Sequence, residues 1–105
     1  MLSRNLMKHK FKAISTERNG IKFPSKLQAK RYDELQLLEK AGEVVFFLME
    51  VPFNFPGGKW RCDFMIFWKD GNVTIEDVKG YDTAESKRIR KIVEANYPIK
   101  IQVIK

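Results

Sequence analysis

The chain has 105 residues, 44% of them hydrophobic, which fits one domain and predicts no room for a second core. Its 20 Lys and Arg against 13 Asp and Glu give a net charge of +7, a field that attracts polyanions such as nucleic acid. A single cysteine, Cys62, excludes an internal disulfide, and with one histidine, His9, there are too few soft ligands for zinc, so any metal must be an oxygen-bound ion such as Mg²⁺ or Mn²⁺.

No stretch approaches the roughly 20 apolar residues that span a bilayer, and Met1 to Lys8 lacks the apolar centre of a signal peptide. The expectation is a cytoplasmic protein without membrane association, in a host cell if the gene is carried by a phage. Residues 1–20 hold Arg4, Lys8, Lys10, Lys12 and Arg18 against one acid, Glu17, and predict a basic arm. The folded domain is expected over 21–105.

Ile21 to Phe23 predicts a short strand. Ser25 with Gln28 three positions on is a capping-box pattern, and helix-favouring residues continue to Ala41 before Gly42. On that helix Tyr32, Leu35 and Leu38 form the inward stripe, Gln28 lies within it, and Lys26 and Lys30 point elsewhere.

Val44 to Phe55 is β-branched and aromatic, with Pro52 marking an edge or bulge, and serves a core or a subunit interface. A turn at Pro56-Gly57-Gly58-Lys59 leads to a strand over Trp60 to Lys69, a tight turn at Asp70-Gly71-Asn72, and an antiparallel strand over Val73 to Lys79. Asp82 and Glu85 suggest a second capping box. The helix that follows has Ile89, Ile92, Val93 and Asn96 on one face and Lys87, Arg88, Arg90 and Lys91 opposite. Ile99 to Ile104 alternates and predicts a closing strand, joined through a helix and hence parallel to its neighbour.

Residues two apart on a strand share a face, so Asp77 and Lys79 project with Val73 and Ile75 toward the core, where unpaired charge is costly. Asp63 alternates with Met65 and Phe67 on the preceding strand. Whether the carboxylates meet depends on the turn. A two-residue loop opposes Asp63 to Val78 and turns the acids apart, whereas a three-residue loop opposes Asp63 to Lys79 and unites all three groups. Two carboxylates beside an ammonium can hold a hard cation, acidify water and steady charge on a phosphate. Glu76 points to the other face and is expected to be solvated or salt-bridged.

Asp63 followed, after a gap of 13 residues, by Asp77-Val78-Lys79 resembles the signature of the PD-(D/E)XK nuclease superfamily. Gly20 to Lys26, Ala29 to Tyr32, Leu35, Leu38 to Gly42, Asp63-Phe64 and Glu76 to Gly80 resemble the small phage-encoded Holliday-junction resolvases within it. The resemblance implies an α/β, restriction-endonuclease-like fold of α-β-β-β-α-β order, with a central mixed sheet flanked by helices. It implies a homodimeric endonuclease using Mg²⁺ or Mn²⁺ on branched, four-way DNA. Asp63, Asp77 and the Val78 carbonyl would ligate the metal, and Lys79 would act on the nucleophile or phosphate. Gln28, standing where relatives carry glutamate, would be a weakened outer ligand, and Cys62 replaces the superfamily's proline. DNA contacts are expected from Lys8, Lys10, Lys12, Arg18, Lys26, Lys30, Lys87, Arg88 and Lys91. The alternative, which Gln28 supports, is a DNA-binding protein on the same fold that has lost cleavage.

Overall fold

A computed structural model describes residues 15–105, so Lys8, Lys10 and Lys12 lie outside the described residues. In chain order the elements are β1 (Thr16–Arg18), β2 (Ile21–Phe23), α1 (Lys26–Lys40), β3 (Val44–Met49), β4 (Pro52–Phe55), β5 (Gly58–Arg61), β6 (Phe64–Trp68), β7 (Val73–Val78), α2 (Ala84–Asn96) and β8 (Ile101–Ile104). The protein is an α/β fold whose central sheet has the order β3-β6-β7-β8. β3, β6 and β7 pair antiparallel and β8 joins β7 in parallel, which makes the sheet mixed.

Both faces of this sheet are covered, because alternate residues of each strand point to opposite sides. On one side Phe64 and Ile66 of β6 meet Ala29, Tyr32 and Leu35 of α1, with Phe23 and Val44 completing the cluster. On the other, Ile75 and Ile101 meet Val93 of α2, Phe53 of β4 and Cys62. Helix α1 starts as expected: the Ser25 side chain accepts a hydrogen bond from the Gln28 N–H at 3.1 Å.

The structure corrects several expectations. The end of the basic arm is folded: β1 pairs with β2 in a hairpin turned by Asn19 and Gly20, both at positive φ (51° and 79°). Asn-Gly is the dipeptide that such a two-residue turn favours, and it was the available signal. Trp60 to Lys69 is not one strand. β5 pairs with β4 in a separate hairpin, and the chain then changes partners at Cys62-Asp63 before β6 enters the central sheet. Three hydrogen bonds hold this break, from Cys62 N–H to Val51 O at 3.0 Å, from Asp63 N–H to Glu76 O at 3.0 Å and from Glu50 N–H to Asp63 O at 3.3 Å.

Helix α2 is capped by Thr83, whose hydroxyl accepts from the Ser86 N–H at 3.0 Å, and not by Asp82, whose carboxylate is engaged elsewhere. Asn96 is exposed instead of sharing the inward face with Val93, and its side-chain amide donates to the Ile92 carbonyl. Arg90 is also misplaced by simple charge periodicity: it points inward and is 8% exposed. No helix among the described residues is long and apolar enough to cross a membrane.

Candidate functional site

Three parts of the chain converge at the C-terminal end of β7. The register pairs Phe64 with Glu76 and Met65 with Ile75 and ends there, and Asp63, at the break before β6, donates its N–H to the Glu76 carbonyl at 3.0 Å. This is neither of the two registers expected from the turn. Trp68 N–H bonds the Asn72 carbonyl at 2.9 Å, so the loop between those residues is Lys69-Asp70-Gly71. The whole pairing moves by two residues relative to Asp63 opposite Lys79, and an even shift preserves the face. Asp63 itself lies just beyond the ladder, and its carboxylate reaches the end of β7, bonding the Val78 N–H and meeting the Asp77 side chain.

Each carboxylate is held by named donors. Asp63 Oδ1 accepts from the Gln28 side-chain amide at 2.9 Å and Oδ2 from the Val78 N–H at 2.6 Å. Asp77 Oδ2 accepts from Arg90 Nη1 at 3.0 Å, while its Oδ1 lies 3.6 Å from Lys79 Nζ. Burial, opposed by the Val78 N–H and reinforced by the neighbouring Asp77, pushes the Asp63 carboxyl up to about 6. Val78 thus reaches Asp63 through its amide N–H, a contact separate from the metal ligand expected of its carbonyl.

Arg90 also forks onto Asp82, with Nη1 to Oδ1 at 2.9 Å and Nη2 to Oδ2 at 2.5 Å. That guanidinium holds the Asp82 carboxyl below its ordinary value. A charge-assisted fork outweighs a neutral cap, which explains why Asp82 leaves the helix terminus to Thr83. On the opposite face of the sheet, Glu76 is 1% exposed and paired with Arg31, Nε to Oε1 at 2.8 Å and Nη2 to Oε2 at 2.7 Å. Sequence patterning found neither arginine, although Arg90 precedes the buried Val93 by three positions and Arg31 follows Gln28 by three.

The oxygen donors suit a hard divalent cation: two carboxylates, with the Gln28 amide at Asp63 adding a neutral oxygen. Among the described residues no group of three or more His, Cys, Asp or Glu converges as a metal cluster, so neutral oxygens or water would have to complete the coordination. The raised proton affinity of Asp63 comes first from burial and then from the neighbouring Asp77, and a cation placed there would offset both. Cys62, buried beside it, has its thiol pushed up to about 11 by burial and offers no thiolate.

The remaining predicted residues divide into two groups. Lys26 and Lys30 of α1 and Lys87 and Lys91 of α2 are exposed and have no ion-pair partner among the described residues. Arg18 pairs with Asp33 at 3.0 Å, and Arg88 with Glu85 at 2.8 Å. Such exposed pairs are weak enough to exchange for a phosphate. A cavity of about 280 Å³ lined by Met65, Val73, Thr74, Ile75, Ile99 and Gln102 lies toward the other end of β7 and gathers no acidic groups.

A family model described as a protein of unknown function, DUF1064, matches residues 8–105. The chain belongs to the DUF1064 family. The matched span of DUF1064 contains every residue of the candidate site and the basic residues Lys8, Lys10 and Lys12. No curated protein and no solved structure matches the chain.

Proposed function

We propose that this DUF1064 protein is a metal-dependent DNA endonuclease of the PD-(D/E)XK type. The observation that carries the proposal is the meeting of the Asp63 and Asp77 carboxylates at the end of β7, with Lys79 beside Asp77 and Gln28 on Asp63. The order of α1, β3, β6, β7, α2 and β8 supports a restriction-endonuclease-like core, with β1–β2 and β4–β5 as additions. The resemblance to junction resolvases extends the proposal to a homodimer acting on four-way DNA, and the net charge of +7 supports a polyanionic substrate.

Asp63 and Asp77 would hold Mg²⁺ or Mn²⁺, which supplies Lewis acidity toward the phosphodiester and toward a water molecule. Lys79 carries the ammonium that would offset charge gathering on the phosphate oxygens as water attacks phosphorus and the ester bond breaks. Asp77 aims that ammonium, and its side chain is exposed enough, at 29%, to reach a bound phosphate. Gln28 fixes Asp63 without adding charge. That neutral contact favours a second reading, a DNA-binding protein with little or no cleavage.

Cleavage of four-way, flap, single-stranded and linear duplex DNA with Mg²⁺ or Mn²⁺ tests both. The expected result is metal-dependent nicking that Lys79→Ala abolishes while DNA affinity stays within a few fold, since one charge is a small part of the footprint. DNA binding without cleavage of any of the four substrates would favour the second reading.

A further inference from the structure

Arg90 is an inward-pointing guanidinium on a helix whose other basic residues face solvent. A buried cation costs several kcal/mol unless its donors are satisfied, and here Asp82 takes both sides of the fork. The pair Arg90–Asp82 is therefore self-neutralised. What it still offers is one Nη1 hydrogen bond, and that bond falls on a single oxygen of Asp77, Oδ2.

The other face of the same strand shows the alternative. There Arg31 gives its second acid, Glu34, only Nη1 at 3.1 Å, which leaves the Nε–Nη2 edge of the guanidinium free to close on both oxygens of Glu76. A carboxylate so closed has its charge offset and each oxygen already engaged, and Glu76 is buried besides. Asp77, by contrast, keeps Oδ1 toward Lys79 at 3.6 Å, longer than a hydrogen bond. Ionised Asp63, Asp77 and Asp82 against Arg90 and Lys79 sum to −3 + 2 = −1.

We propose that Asp82 is a positioning residue for the candidate metal centre: by holding the Arg90 fork, it keeps Arg90 from closing on Asp77 and leaves Asp77 Oδ1 directed at a divalent cation. The inference rests on the endonuclease reading above. Asp82 itself touches only Arg90 and supplies no ligand. The role is separable from simple charge, because removing Asp82 together with the nearby Lys87 leaves the net charge unchanged while Arg90 stays in place.

Titration of Mn²⁺ alone into the full chain, followed by calorimetry, reads the effect without DNA or turnover. Asp82→Asn, which frees part of the fork for Asp77, should weaken Mn²⁺ at least about tenfold, a change of about 1.4 kcal/mol. Asp82→Glu, which retains the carboxylate, should stay within about threefold of the parent. The charge-neutral double variant Asp82→Asn/Lys87→Gln should remain weakened, because Arg90 is still free to close on Asp77, whereas Asp82→Asn/Arg90→Gln, which has no guanidinium left to close, should recover. Melting in chelator reports whether each variant is folded, and Thr83, the helix cap, is untouched in all of them. If Asp82→Asn/Lys87→Gln recovers parental affinity, charge alone governs the site and the positioning role is overturned; if Asp82→Asn/Arg90→Gln stays as weak as Asp82→Asn, Asp82 does not act through Arg90 and the role is overturned as well. Equal affinity of Asp82→Asn and the parent also overturns it while leaving the endonuclease reading intact. A parent that binds no Mn²⁺ overturns both.

Discussion

Adjacent residues of β7 place two buried carboxylates on opposite faces of one sheet, Glu76 toward α1 and Asp77 toward α2. Each meets an arginine from the helix that covers its face. Glu76 is closed by both arms of Arg31 and surrounded by the cluster of Tyr32, Leu35, Phe64 and Ile66. Asp77 shares its arginine with Asp82, faces Asp63 across the strands, and has a lysine at longer range. Burial alone does not mark a functional acid. Incomplete pairing does: a closed ion pair fastens helix to sheet, whereas an open one retains charge for a ligand.

The comparison breaks first at Glu76. Glu76→Ala leaves the Arg31 guanidinium, 18% exposed, without its main partner and should cost about 3 kcal/mol in urea unfolding. Replacing both residues together, Arg31→Met with Glu76→Leu, should recover most of that loss, because a closed pair can be exchanged for apolar packing. If Glu76→Ala unfolds like the parent, the distinction between closed and open carboxylates is wrong.

A smaller effect sharpens the open side. Gln28→Glu would set a third carboxylate against Asp63, where the Gln28 amide now donates at 2.9 Å. In chelator the variant should be less stable at neutral pH, and Mn²⁺ should restore it. Cleavage should rise about tenfold, or about 1.4 kcal/mol in barrier, through the added anionic ligand. Single-turnover rates across a metal titration measure this, and unchanged rates and metal dependence would reduce Gln28 to a helix-capping residue.

The smallest effect concerns Asp63, whose carboxyl is pushed from 3.8 up to about 6. A raised carboxyl holds its proton in the folded protein across pH 4 to 6, so stability declines as pH rises through that window and the loss is complete above it. Asp63→Asn removes the ionisation and can keep an acceptor for the Val78 N–H. It should stabilise the metal-free protein by about 1 kcal/mol at pH 8 and by almost nothing at pH 4. Denaturant melts at the two pH values give the difference, and a gain of equal size at both would assign it to packing.

Much of this geometry was legible in the sequence for specific reasons. Helix α1, the β6–β7 hairpin and the parallel β8 follow from a capping box, a Gly71 turn and strict alternation. The turn left two registers open for the β6–β7 hairpin, and the observed ladder is shifted by two residues from the one that unites Asp77 with the Met65 face. Parity protected that face, since only an odd shift reverses a strand. The break at Cys62-Asp63 was not legible, because Trp60 to Lys69 is strand-like throughout and only tertiary pairing divides it. Arg90 was missed for a different reason. Charge periodicity assigns an arginine to solvent, and nothing local reveals that Asp77 and Asp82 wait at 3.0 and 2.5 Å.

One further contact sets when this site exists. The Lys79 N–H donates to the Ile104 carbonyl at 2.8 Å, so the backbone of the candidate catalytic lysine is clasped by β8. Parallel pairing across the α2 crossover is a non-local event that forms slowly relative to local hairpins. Asp63 and Asp77 can meet as soon as β6 and β7 pair, but Lys79 is fixed only after the chain has returned through α2. The folding intermediate would therefore carry an acidic pair without its lysine, able to attract a cation before it could act on a phosphate. The Lys79 amide proton is the natural reporter, and its hydrogen exchange should follow closure of β8, not formation of the β6–β7 hairpin.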